Sequence, residues 1–421
     1  MRTHFEILSV PTRRRHGAVP RRAWVRLAGP AAACAYVLVF ALPLRTDYSL
    51  LALAFCAAIA LTCADDARPA PRSNALVLPI VGFCVVSGVS LLLSADHARS
   101  LASCVSLLPA ILLFLIVGYD FSSPAQVRAL FLALSVVALG LAGALVAIGL
   151  AHPSEPPTAW VARLESPIIV VPNDAALFAV LVPLFLLPVR RDPRSLGAAL
   201  GAAAAAGALF ACLLLQSRTA LLTGLVCLIA LAILWRSRVL LLAAAAAPVA
   251  GWIVDRFVLD ARLAAKFASF LDNRLALWLS AWRMFLDAPF AGNGPNTFGL
   301  LYLPYLDGLD LRGRLPVDDR VIPWPHNLYL EMLAERGAPG LVALLLVLLA
   351  AGWVLWRHRQ ARCRDARLIA SASLASLAGL CFAGLIELTL LRLWVVVLLF
   401  VLCGVANFLA RHNDGLTPDS A

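Results

Sequence analysis

Apolar positions in this chain neither alternate nor mark one helix face; they fill whole stretches, and polar residues are confined to the breaks between them. Runs of about 17 residues or longer, such as ALGAAAAAGALFACLLL, recur along the chain, and that is the length a helix needs to cross a hydrocarbon core. Hydrocarbon offers no water to backbone groups, so each run is predicted to satisfy its own N–H and C=O groups as a helix. Spanning β-strands would need shorter segments of alternating hydrophobicity, which these runs are not. The pattern predicts an all-α polytopic membrane protein of about twelve transmembrane helices. The spans fall at 24–44, 48–64, 75–94, 101–119, 129–151, 167–189, 195–215, 219–235, 238–254, 338–356, 368–390 and 391–409.

The breaks set the organisation. A basic N-terminus (1–23) leads into nine spans (24–254), a long loop (255–337), three further spans (338–409) and a short tail (410–421). Each short connection on one side carries a single arginine: Arg45, Arg99, Arg163, Arg218 and Arg392. The other side is arginine-rich, from the PTRRRHGAVPRRAWVR start to Arg357, Arg359, Arg362, Arg364 and Arg367. Basic residues stay in the cytoplasm, so both termini are expected inside and the long loop outside. Composition agrees, with 62% hydrophobic and 14% charged residues. The net charge of +11 is then mostly topology signal, and nucleic acid is not expected as a partner. No cysteine falls in 255–337, which excludes a disulfide framework there.

Most of the polar chemistry outside the cytoplasm lies in the long loop. In DNRLALWLSAWRMFLD, Arg274, Trp278, Ala281, Trp282 and Phe285 share one face of a predicted interfacial helix. APFAGNGPNTFG is turn chemistry, and its backbone N–H groups offer a place for an anion. The segment 303–325 has no period and reads as a lid-like loop, while the prolines of 152–166 read as an extended connector. In PHNLYLEMLAERGAPG, a helix from Pro325 stacks Asn327, Glu331 and Glu335 as a polar stripe, with His326 at its start. GAPG then breaks that helix before the membrane run.

Two arginines, a histidine and carboxylates at one membrane face suggest a chemistry. Arg218 interrupts the apolar run in LLLQSRTALL, where an arginine needs a cavity or a partner. Arginine grips phosphate oxygens bidentately, and a neutral imidazole takes a proton from a hydroxyl. Singly, each residue also has a plain structural reading: a turn arginine, a headgroup-paired arginine, a helix-start histidine, and helix-pair carboxylates.

HNLYLEMLAERGAPGL, QSRTALL and RLALWLSAWRMFLDAPFAGNGPNTF, in that relation over roughly 170–355, resemble the O-antigen ligase and O-antigen polymerase superfamily. The resemblance implies a membrane-embedded, inverting, metal-independent glycosyltransferase of the bacterial inner membrane with no cofactor. Its donor would be a glycan on undecaprenyl diphosphate, and its acceptor a hydroxyl of lipid A core or another glycan. By motif, His326 and Glu335 would be catalytic, and Arg218, Arg274 and Asn327 would bind substrate. Metal-dependent relatives carry paired acidic residues near the first outer loop; here that loop is RTD. The ligase reading is favoured over an O-antigen or exopolysaccharide polymerase by analogy of layout alone. A transporter or flippase would show two related halves, which this sequence lacks. A non-catalytic assembly scaffold would tolerate loss of Arg218 and His326.

Overall fold

The computed structural model describes residues 21–40, 75–166, 168–257, 272–308 and 321–412. The expected span 48–64 lies outside the described residues, as do both chain ends. Among the described residues the secondary structure is helical, with no strand. The helices are α1 Arg21–Phe40, α2 Val77–Leu92, α3 His97–Val105, α4 Leu108–Leu115, α5 Pro124–Ala151, α6 Pro157–Leu164, α7 Ala176–Arg191 and α8 Leu196–Leu214. They continue with α9 Arg218–Trp235, α10 Arg238–Phe257, α11 Asp272–Asp287, α12 Phe298–Asp307, α13 Leu328–His358, α14 Arg364–Gly384 and α15 Leu393–Arg411. Nine helical stretches among the described residues are long and apolar enough to cross a membrane; α2 and the middle of α1 are shorter apolar helices. The chain is therefore an all-α polytopic membrane protein.

The helices do not share the core equally. In α15, 89% of the apolar stretch is buried, against 11% in α10. α15 is the central post of the bundle, and α10 is a peripheral helix whose apolar side chains face outward, as lipid contact demands. One end of the bundle is closed by ions: Asp365 at the start of α14 accepts from Arg191 Nε at 2.8 Å and also pairs with Arg128. α7 and α14 run from that end to the opposite one, where the polar groups of interest gather.

Three local expectations change. The prolines of 152–166 do not make an extended connector: Pro157 opens α6, because a proline at the first helical position lacks only an N–H that has no helical partner there. The segment 303–325 is not all loop, since α12 reaches Asp307. Phe298, Tyr302 and Leu306 of α12 pack with Ala276, Leu277, Ala281 and Met284 of α11 in a small core of their own, and burial outweighs weak periodicity. The spans read as 167–189 and 368–390 are shorter, at Pro172–Arg191 and Arg364–Gly384.

The expected break before the last three spans is present. Gly337 has φ 66° and ψ −171°, dividing α13 into an outer part and a spanning part. The break, with Pro339 lacking an N–H, deprives Ala334 and Glu335 of their helical donors. The GNGPN turn supplies replacements: Asn293 N–H donates to Ala334 O at 3.1 Å, and Gly294 N–H to Glu335 O at 2.9 Å. Ser90 Oγ donates to Glu335 O as well, at 2.7 Å. The turn fits because Gly292 sits at φ +66°, where a Cβ would lie 2.2 Å from the Glu335 carbonyl carbon. Gly292→Ala should therefore destabilise the folded protein by about 1–3 kcal/mol, read as a lowered Tm of the purified protein by tryptophan fluorescence.

Candidate functional site

At the end of the bundle opposite Asp365, four separate parts of the chain meet. α11 brings Arg274, the start of α13 brings His326, the α14–α15 loop brings Glu387, and the turn before α7 brings Asn173. Glu387 is the hub. Its Oε2 accepts from Arg274 at 2.5 Å, and its Oε1 lies 2.9 Å from His326 Nδ1. Asn173 also hydrogen-bonds this carboxylate. Arg274 is buried in this pairing instead of extending to headgroups, and Glu387 is buried with it. Burial alone would push the Glu387 carboxyl up; the charge of His326, its hydrogen bond, Arg274 and Asn173 outweigh that and hold it below the usual carboxylate range.

Arg218 is the first residue of α9, in a tight turn shaped by Gln216 at φ 51° and capped by Ser217. Ser217 Oγ donates to Asn173 Oδ1 at 3.4 Å, and Asn173 bonds Glu387, so the N-terminus of α9 adjoins the same cluster. A helix N-terminus and an arginine at its first position both favour an anion. Arg392 approaches from the other side. Its guanidinium stacks 4.5 Å from the Trp324 ring and lies 3.5 Å from Asp174, and Trp324 meets His326 edge-on at 5.6 Å. His326 keeps part of its side chain exposed.

The polar stripe of α13 works as a frame. Asn327 caps the helix by accepting from Tyr329 N–H and Leu330 N–H, each at 3.0 Å, and its Nδ2 donates to Leu385 O at 3.0 Å. Glu331 Oε1 accepts from Leu390 N–H at 3.1 Å. Together these two residues hold the loop that carries Glu387. Glu335 is fully buried and accepts from Asn296 N–H at 2.8 Å and Phe298 N–H at 3.2 Å, with Arg336 beside it at 3.4 Å. The turn expected to hold an anion thus holds the protein's own carboxylate. Glu335 lies ~13 Å along the helix from His326 by helical rise, and Asn327 is committed to capping. Neither side chain has a free group aimed at the Arg274–Glu387–His326 cluster.

His326 sits at φ 53°, in the left-handed region, a conformation that costs roughly 1–2 kcal/mol for a residue with a Cβ. Pro325 before it and the capped Asn327 after it hold that turn, so the imidazole leaves the helix start toward Glu387. Among the described residues, no three His, Cys, Asp or Glu side chains converge as metal ligands would. Sequence reasoning brought out Arg218, Arg274 and His326 but missed Glu387, Asn173, Asp174 and Arg392. Hydropathy places Glu387, Asn173 and Asp174 inside the expected spans 368–390 and 167–189. The available signal was their charge or polarity next to a span end, where an ionisable group seldom sits without a role.

Residues 202–345 match the family model described as O-antigen ligase. No curated protein matches the chain. The matched segment contains Arg218, Arg274 and His326, while Asn173, Glu387 and Arg392 lie outside it.

The folded Glu387 value is depressed, so its contribution to stability is complete above the ordinary carboxylate range and disappears as pH falls through the depressed value. Thermal unfolding of the purified protein should lose stability as pH is lowered below about 4. Glu387→Gln should remove part of that acid dependence; an identical slope in wild type and variant would mean the pairing does not stabilise the fold.

Proposed function

We propose, from a chain whose residues 202–345 match the O-antigen ligase family, that this protein transfers a glycan from undecaprenyl diphosphate to a hydroxyl acceptor at the outer face of the bacterial inner membrane. The observation that carries this reading is the meeting of Arg274 and His326 on one buried carboxylate, with the Arg218 end of α9 joined to it through Ser217 and Asn173. An outward-facing site of arginines and one imidazole suits a lipid diphosphate leaving group and a hydroxyl nucleophile. With the basic residues inside, both termini are cytoplasmic and the cluster faces the periplasm.

The reaction balances simply. The acceptor O–H gives its proton to His326, and its oxygen attacks the anomeric carbon from the face opposite the diphosphate. The bond from that carbon to the diphosphate oxygen breaks, the electron pair leaves with the diphosphate, and the configuration inverts. Arg218 and Arg274, with the N-terminus of α9, stabilise the growing negative charge, an effect that is strong in a site of low dielectric. Glu335, Asn327 and Glu331 belong to the frame in this reading. Lipid A core is the favoured acceptor, which makes the enzyme an O-antigen ligase; a second lipid-linked glycan would make it a polymerase.

The donor's lipid chain has a candidate berth. An apolar cavity of about 450 Å³ is lined by Leu221, Leu225 and Leu228 of α9 and by Pro248, Gly251 and Trp252 of α10. It begins one turn from Arg218, which would place an isoprenoid chain directly below its diphosphate.

Purified protein in lipid vesicles, given undecaprenyl-diphosphate-linked glycan and lipid A core with EDTA present, should form the glycosylated acceptor. His326→Ala should lower that rate by about 10²–10⁴-fold, the usual worth of a positioned base. Arg218→Ala and Arg274→Ala should each lower it by about 10²–10³-fold. Undiminished transfer by inserted His326→Ala protein would remove the base assignment. Gly251 has open space around it, so Gly251→Leu should fold normally and fill the cavity. It should raise KM for the undecaprenyl donor several-fold and leave KM for the lipid A core acceptor unchanged; equal effects on both substrates would place the lipid chain elsewhere.

A further inference from the structure

The proposed reaction needs His326 to present an unprotonated nitrogen to the acceptor, and an imidazole has two nitrogens that exchange roles with the tautomer. Three observations bear on which one is presented. First, His326 Nδ1 lies 2.9 Å from Glu387 Oε1, and an ionised carboxylate only accepts, so Nδ1 carries the proton in the neutral ring. Second, both oxygens of Glu387 are engaged, Oε2 by Arg274, and the group is buried, so it is not placed to take a substrate proton itself. Third, the loop carrying Glu387 is fastened at Leu385 and Leu390 by Asn327 and Glu331, on the same helix that begins beside His326. Carboxylate and imidazole are thus mounted on one rigid piece.

We propose that Glu387 is the positioning residue of this site: it holds His326 with the proton on Nδ1 and Nε2 directed to the acceptor hydroxyl, and it stabilises the imidazolium formed on transfer. This rests on the transferase reading for the identity of the proton donor, although the Glu387–His326 relation itself does not. When Nε2 takes the hydroxyl proton, the positive charge of the ring faces the Glu387 carboxylate. The released proton later passes from Nε2 to the departing diphosphate or to water. Arg274 shares the carboxylate, so the group that grips the donor and the group that activates the acceptor are set by one anchor. Among the described residues, Arg392, stacked on Trp324 and paired with Asp174, is a further charged group beside the imidazole.

Glu387→Gln tests this. An amide can donate to Nδ1, which would move the ring proton to Nε2, the wrong nitrogen for a base. The first measurement needs no substrate: diethyl pyrocarbonate carbethoxylates unprotonated imidazole, and the rate at His326 can be followed against pH by peptide mass spectrometry. In Glu387→Gln the midpoint of that curve should move to lower pH, because an opposite charge has been removed. Glu387→Asp keeps the carboxylate, so its midpoint should stay close to that of the wild type. Should Glu387→Gln fail to insert, Glu387→Asp and Asn327→Ala carry the test, since Asn327→Ala loosens the loop and should shift the same midpoint in the same direction. A midpoint that is identical in every inserted variant overturns the proposal.

The second measurement is transfer from undecaprenyl-diphosphate-linked glycan to lipid A core. Glu387→Gln should lower kcat by about 10²-fold or more and move the acid limb of the pH profile with the carbethoxylation curve. A purely structural role would lower activity with the limb in place. If His326→Ala is inactive while Glu387→Gln keeps wild-type kcat and limb, the positioning role fails and the transferase reading stands. If the carbethoxylation midpoint shifts but His326→Ala transfers normally, the transferase reading fails and the pairing stands.

Discussion

A carboxylate buried at the end of a helical bundle has to be compensated, and the way Glu387 is compensated organises the outer half of this protein. Desolvation of one ion is worth several kcal/mol, so the group persists only with opposite charge and hydrogen bonds around it. Arg274 and His326 provide the charge, and Asn173 provides a further hydrogen bond. These partners come from the loop helix α11, the start of α13 and the turn before α7. A single electrostatic requirement therefore pins three distant segments to the α14–α15 loop, and the segments it gathers are those with chemistry to offer. Removing one partner leaves an uncompensated charge, which is commonly worth about 3–5 kcal/mol, so the cluster is a stability element and a candidate reaction centre together.

The frame beneath it follows from a break in one helix. Gly337 interrupts α13 and frees two carbonyls, and the GNGPN turn returns N–H groups to both. The same turn surrounds Glu335, whose carboxylate accepts from Asn296 and Phe298. Above that break, Glu331 and Asn327 fasten the loop of Glu387. Three polar residues spaced four apart on one helix each hold a different stretch of backbone. A membrane-proximal helix carries so many hydrogen-bonding groups because irregular backbone at that depth has no water to turn to. His326, one residue before the cap, inherits the rigidity of this frame.

In the proposed reaction a diphosphate leaving group and an isoprenoid tail would make opposite demands, and the first half of α9 offers a polar start and an apolar wall within a few turns. Arg218 and the helix N-terminus stand at the polar end, and the leucines below line an apolar cavity. At the other end of the bundle Asp365 is paired with Arg191 and Arg128.

Hydrophobic run length alone determined the class of this protein, because backbone in hydrocarbon has one local solution and it is written into each segment. Arg218, Arg274 and His326 were legible as candidates, since a charge or an imidazole beside an apolar run, set in a motif, stands out against its surroundings. Their assembly was not legible. Glu387 looked like part of a span because its neighbours are apolar, and only the end of α14 at Gly384 moved it into a loop. Glu335 looked catalytic by its place in the motif, and only the fold of the GNGPN turn around it gave its carboxylate internal partners. Periodicity reports which face of a helix is apolar; it carries no information about which distant loop will need a counter-charge. That pairing is decided in three dimensions, where burial makes each unpaired polar group costly and each segment must find its partner elsewhere in the chain.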